Sequence, residues 1–120
     1  MKVFLAVLSL IFTSQAFAKG GDVCLDVLSQ KFETMAKKSS DWGYEGIASL
    51  SHKDAKWMIR EALAEDEEKD RAVMQNLVGQ KNVLFYTLQW NAPSNTGTTI
   101  IAADKNTCDV IEDLLFYSEE

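Results

Sequence analysis

The sequence predicts an α+β domain, with N-terminal helices packed on a C-terminal three-stranded antiparallel meander and one disulfide. Three observations lead there. Apolar residues recur at steps of three and four as far as Val78, and the pattern then changes to runs of β-branched and aromatic residues separated by turns. The chain carries two cysteines, Cys24 and Cys108. Its opening, "MKVFLAVLSLIFTSQAFAKGG", has the three-part layout of an export signal.

In that opening, Lys2 supplies the positive start and Val3 to Phe12 is apolar apart from Ser9. Ala16-Phe17-Ala18 then places small residues around a cleavage point. The apolar run is too short to span a bilayer, and no second long one follows, so membrane insertion is not expected. Residues 1–18 are read as a signal peptide and 19–120 as a single domain, periplasmic or secreted. Exported chains meet oxidising conditions, where two cysteines pair. A Cys24–Cys108 bridge closes a loop of roughly eighty residues, worth about 4–5 kcal/mol on the chain-entropy account. That is comparable to the whole net stability of a small domain. No Cys-x-x-Cys is present to poise a redox thiolate.

Residues 22–38, "DVCLDVLSQKFETMAKK", read as a helix with Leu25, Leu28, Phe32 and Met35 on one face. Asp22 is the expected cap, and Lys37 and Lys38 suit the negative end of the dipole. "SSDWGYEG", 39–46, reads as a loop. Ser51 with Asp54 forms a capping box that opens the next helix, whose stripe is Ala55, Met58, Ile59 and Ala62 and resumes at Val73, Leu77 and Val78. Between them "EDEEKDR", 65–71, has no apolar residue. One long helix supported by Glu65–Lys69 and Glu67–Arg71 pairs, or two helices with a bend, both fit. Gly79 ends the helical region.

"NVLFYTLQW", 82–90, is then a strand, "NAPSNTG" a turn, and "TTIIAAD" a second strand. "DKNT", 104–107, is a tight turn into "CDVIEDLLFY". As a strand this last piece places Cys108, Val110, Leu114 and Phe116 on one face, interrupted by Glu112. As a helix it groups Val110, Ile111, Leu114 and Leu115. A short turn after a strand favours the strand. Residues 82–114 resemble the tail of small secreted modules of the PepSY and broader cystatin-like kind, with Tyr86, Leu88, Trp90, Asp104, Thr107 and Val110 in the matching places. Cys108 stands where such modules commonly carry glycine. The resemblance implies a regulatory or protein-binding role, often against secreted peptidases, and transfers no catalytic residue.

Eighteen acidic against twelve basic residues give a net charge of −6. That balance disfavours nucleic acid and anionic membrane surfaces and favours a basic protein partner. His52 is the single histidine, at a helix start beside Ser51 and Asp54, where capping and exposure are expected. The glycines form neither a P-loop nor a dinucleotide fingerprint. No catalytic residue, metal site or cofactor is expected, and the chain is read as a non-enzyme. The acids Glu65, Asp66, Glu67, Glu68 and Asp70 lack the glycine turn that would converge them on calcium, which leaves a solvated face or a docking stripe. Trp42 and Tyr44 flank Gly43 and read as binding anchors or as a lid on the core. Trp57 and Trp90 read as packing groups. The expected function is an exported protein-binding module, an inhibitor, immunity or accessory factor, with Trp42 and Tyr44 in contact and the acids steering. The alternative is a carrier of a small apolar ligand under the sheet, lined by Phe85, Leu88 and Ile100. A hydrolase would need His52 or the Asp41–Glu45 pair.

Overall fold

The computed structural model describes residues 22–62 and 68–120. The signal segment and the acids Glu65, Asp66 and Glu67 lie outside those residues. The elements follow in the order α1 (Val23–Lys38), β1 (Gly43–Leu50), α2 (His52–Glu61), α3 (Glu68–Val78), β2 (Val83–Asn91), β3 (Thr96–Asp104) and β4 (Val110–Glu119). The strands form one sheet in the order β1-β2-β3-β4, antiparallel throughout. Alternate residues of each strand point to opposite faces, and each face has its own core. Cys24, Leu28 and Phe32 of α1 pack with Tyr86, Leu88, Ile101 and Ala103. Ala55, Ile59, Met74 and Leu77 of α2 and α3 pack with Val83, Phe85, Ile100, Ala102 and Leu114.

The sheet therefore has four strands rather than three. The extra strand, β1, takes in the second half of the expected 39–46 loop. "GYEGIASL" is a weak strand sequence, with two glycines and little β-branching. It pairs because β2 would otherwise leave a row of backbone groups open beside it. The register slips between Tyr44 and Gly46, so Glu45 is the extra residue of a bulge. Gly46 there adopts φ 153°, a conformation that side-chain-bearing residues rarely take.

In α1 the buried row is Cys24, Leu28, Phe32 and Ala36, an i, i+4 series. The expected stripe is thus rotated, and Met35 is 46% exposed. The bridge explains the rotation, since Cys24 must face inward to reach Cys108, with their Cα atoms 5.1 Å apart. Asp22 does not cap the helix with its side chain. Its carboxylate instead accepts hydrogen bonds from Tyr86 Oη, at 2.9 Å, and from Ser49 Oγ, which ties the start of α1 to two strands.

Between 51 and 78 the described residues form two helices, α2 and α3. Ser51 Oγ accepts from the Asp54 amide at 3.0 Å, the expected cap. His52 is half-buried, not exposed: its ring meets Phe85 edge-on with centroids 5.1 Å apart. Arg71 of α3 closes the pair by donating to the carbonyls of Ile59 (2.7 Å), Arg60 (3.3 Å) and Ala62 (3.0 Å) at the end of α2. The Ile59 carbonyl also accepts from the Ala62 amide at 3.4 Å, and carbonyls at a helix end leave room for such a donor, whose positive charge suits the helix C-terminus.

Residues 110–119 form a strand, as the short-turn argument requires. Asp104 Oδ1 accepts from the amides of Asn106 and Thr107, which shapes the turn, and Cys108 leaves it at φ 64°. Ile111 and Phe116 are extra residues opposite β3, one at each register slip. Those bulges overturn the single-face arrangement expected for β4: Val110 packs toward α1, whereas Leu114 and Phe116 pack toward α2 and α3.

Candidate binding surface

The helix pair covers only part of its face. Helices α2 and α3 have 10 and 11 residues, about 16 Å each at 1.5 Å per residue. Strands of 9 and 10 residues run about 30 Å. The sequence alternation marks where cover stops. On this face β2 presents Val83 and Phe85, both buried, then Thr87, Gln89 and Asn91; β3 presents Ala102 and Ile100, both buried, then Thr98 and Thr96. The polar ends lie beside one another, because Gln89 pairs with Thr98 and Thr98 with Tyr117.

This open half lies at the end of the sheet that carries the β2–β3 turn. Thr98 Oγ1 donates to Gln89 Oε1 at 3.2 Å, and Asn91 Nδ2 donates to Glu45 Oε2 at 2.7 Å. The bulge at Glu45 turns that carboxylate onto this face beside Asn91. Two aromatic residues stand at its border, Tyr117 at 44% and Trp57 at 52% exposure. The Trp57 ring leans on Phe116 with centroids 6.4 Å apart, so Trp57 is an anchored but solvent-facing group, not the packing residue expected.

On the opposite face the β2 row stays apolar to its end, Leu84, Tyr86, Leu88 and Trp90. Trp90 lies flat over Gly97 and donates from Nε1 to Thr99 Oγ1 at 2.9 Å. Tyr44 and Trp42 are half-buried against the α1 core, and the Tyr44 hydroxyl bonds Ser29 Oγ at 2.8 Å. These two residues are therefore on the other side of the sheet from Trp57 and Tyr117. Of the acidic run, Glu68 pairs with Arg71 at 3.3 Å. Asp70 faces β4, where desolvation and then the Asp70 charge raise Glu112 above the ordinary carboxylate range, with a further contribution from Asp113. Asp113 is raised by the same first two causes. Desolvation, followed by the bond to Asp22 and its charge, holds the buried Tyr86 phenol well above its usual range.

The residues expected to line a ligand cavity do not share one. Phe85 and Ile100 pack under α2 and α3, while Leu88 packs under α1. A solvent-facing groove of about 360 Å³, lined by Lys56, Arg60, Gln75, Val78 and Gly79, runs between the two helices instead. His52 Nε2 is enclosed without a hydrogen-bond partner, and no group of three or more metal-ligating side chains occurs among the described residues. No helix among them is long and apolar enough to cross a membrane.

Fold and surface together define a disulfide-stapled α+β module with a four-stranded antiparallel sheet, carrying one helix on one face and a helix pair over part of the other. No protein-family model matches the chain, and comparison with curated proteins and with solved structures gives no match. The open half of the sheet was missed at sequence level. Its signal was there: odd positions of β2 run Val-Phe-Thr-Gln-Asn while even positions run Leu-Tyr-Leu-Trp.

Proposed function

We propose that the protein is an exported binding module, an inhibitor, immunity or accessory factor, that holds another protein against the open half of its sheet. The observation that carries this reading is the pair Trp57 and Tyr117, both solvent-facing at the border of an uncovered sheet surface. Exposed tryptophan and tyrosine on a rigid support are the side chains that most often dominate protein interfaces. The acidic surplus favours a basic partner and speeds encounter with one. The signal-like N-terminus and the bridged cysteines support export. The likeness of residues 82–114 to PepSY and cystatin-like modules supports a regulatory role toward a secreted enzyme. Trp42 and Tyr44 act in this reading as packing for the α1 side.

The test uses oxidised protein, with and without Trp57→Ala/Tyr117→Ala, as bait for the envelope and secreted fractions of the host. A captured protein is purified and recombined with the bait. A one-to-one complex that the double variant weakens at least tenfold, with its unfolding midpoint unchanged, supports the reading. A complex indifferent to both substitutions moves the binding surface elsewhere and overturns it.

A further inference from the structure

The open half of the sheet carries one sign of charge. A depression of about 220 Å³ is bordered there by Glu45, Gln89, Thr98, Tyr117 and Glu119, reaches Trp90 and Gly97 at its floor, and among the described residues neither lysine nor arginine lines it. Glu45 is aimed onto this surface by the bulge and steadied by the Asn91 amide at 2.7 Å. Tyr117 offers an aromatic ring that is 44% exposed, in the register position next to Thr98.

We propose that this depression receives an arginine side chain of the partner protein, its guanidinium against the Tyr117 ring and its N–H groups turned to Glu45 and Glu119. The inference rests on the function proposed above and adds the chemistry of the partner. A planar cation is favoured over an aromatic face, and its forked donors match carboxylate oxygens. An acidic side chain would meet two carboxylates with no counter-charge, and an apolar one would take solvent from them without replacing it. The acidic rim also discriminates against acidic partners through like-charge contact, so the same groups select as well as bind.

The probe is Nα-acetyl-arginine amide, titrated into the oxidised protein and followed by backbone amide NMR shifts. Nα-acetyl-citrulline amide, its uncharged counterpart, is the control. Saturable shifts centred on Glu45, Gln89, Thr98, Tyr117 and Glu119 are expected with arginine, and at least threefold weaker binding with citrulline. Glu45→Gln and Glu119→Gln should each weaken arginine binding about two- to fivefold, the range of one exposed ion pair. Tyr117→Phe, which keeps the ring, should bind like the parent. Equal response to citrulline, or shifts scattered over the surface, overturns the proposal. The two readings separate with the partner in hand: a complex weakened by Trp57→Ala/Tyr117→Ala yet unchanged by Glu45→Gln/Glu119→Gln keeps the binding face and removes the arginine.

Discussion

Along β2, the side chains facing α1 are Leu84, Tyr86, Leu88 and Trp90, whereas those facing α2 and α3 are Val83, Phe85, Thr87, Gln89 and Asn91. The first row is apolar to its end and the second changes to polar after two residues. The difference follows from what covers each face. Helix α1 has 16 residues, about 24 Å, and Trp90 extends the cover past it by lying on Gly97. The helix pair is shorter and leaves the far end of its face in solvent. One face of the sheet is thus devoted to holding the fold together, and the other divides between holding and display. This division yields unequal responses to substitution, and five measurements probe it.

The largest effect is expected at the staple of the α1 side. Cys24→Ser/Cys108→Ser should lower stability by about 4–5 kcal/mol, because the bridge spans 84 residues. Urea midpoints of parent and variant read this directly. A loss below about 1 kcal/mol would mean that apolar packing and the Asp22 and Ser29 hydrogen bonds hold α1 without the bridge. Gly97→Ala comes next, at about 2 kcal/mol, since a Cβ there would stand 2.4 Å from the Trp90 ring and 2.8 Å from the Tyr117 carbonyl. Thr98→Ala, one residue on and facing the open half, should cost less than about 0.5 kcal/mol. Similar losses from the two would erase the distinction between the faces.

On the helix-pair side, Arg71→Ala should cost about 1.5 kcal/mol in thermal or denaturant unfolding, because three carbonyls of α2 lose a charged donor. Arg71→Lys should recover only part, as an ammonium lacks the fork that reaches them together. At the β3–β4 turn, Cys108 holds φ 64°, which a side chain resists. With Cys24→Ala as background, Cys108→Gly should therefore be about 1 kcal/mol more stable than Cys108→Ala.

The smallest effect concerns the carboxylates between α3 and β4. Glu112 and Asp113 have folded-state pKa values above their ordinary ones of 4.5 and 3.8. A raised pKa means that the folded state holds protons more tightly than the unfolded one. The contribution is then fully present below the ordinary carboxylate range and lost as pH rises through the raised values. Asp70→Asn removes a shared cause and should raise stability by about 0.3 kcal/mol at pH 7, on the scale of one exposed like-charge pair. The gain should fade by pH 4. A thermal midpoint that shifts equally at both pH values would rule out the Asp70 charge as its source.

Much of the fold was readable from neighbouring residues. The stripe Ala55, Ile59 and Ala62, the Ser51–Asp54 cap and the turn at Asp104 each depend on contacts within a few positions, and each occurs as expected. The left-handed backbone of Cys108, φ 64°, was not legible, since it depends on how the turn delivers that cysteine to Cys24. The candidate site was far less legible. Trp57 reads as core from its helical setting, yet its exposure depends on where α2 ends its passage over β4. Trp42 and Tyr44 read as binding anchors or as a lid on the core, because only the pairing of β1, a weak strand by sequence, brings them against the α1 layer.

Periodicity, capping and the count of two cysteines determine two helical stretches, a β-rich second half and a single disulfide pairing, because those features arise from interactions along the chain. The fourth strand, the bulges at Glu45, Ile111 and Phe116, and the uncovered half of one sheet face were decided by tertiary structure. Each of them is settled by what lies opposite: an open edge on β2, the register of β3, and the reach of two helices too short for the strands beneath them.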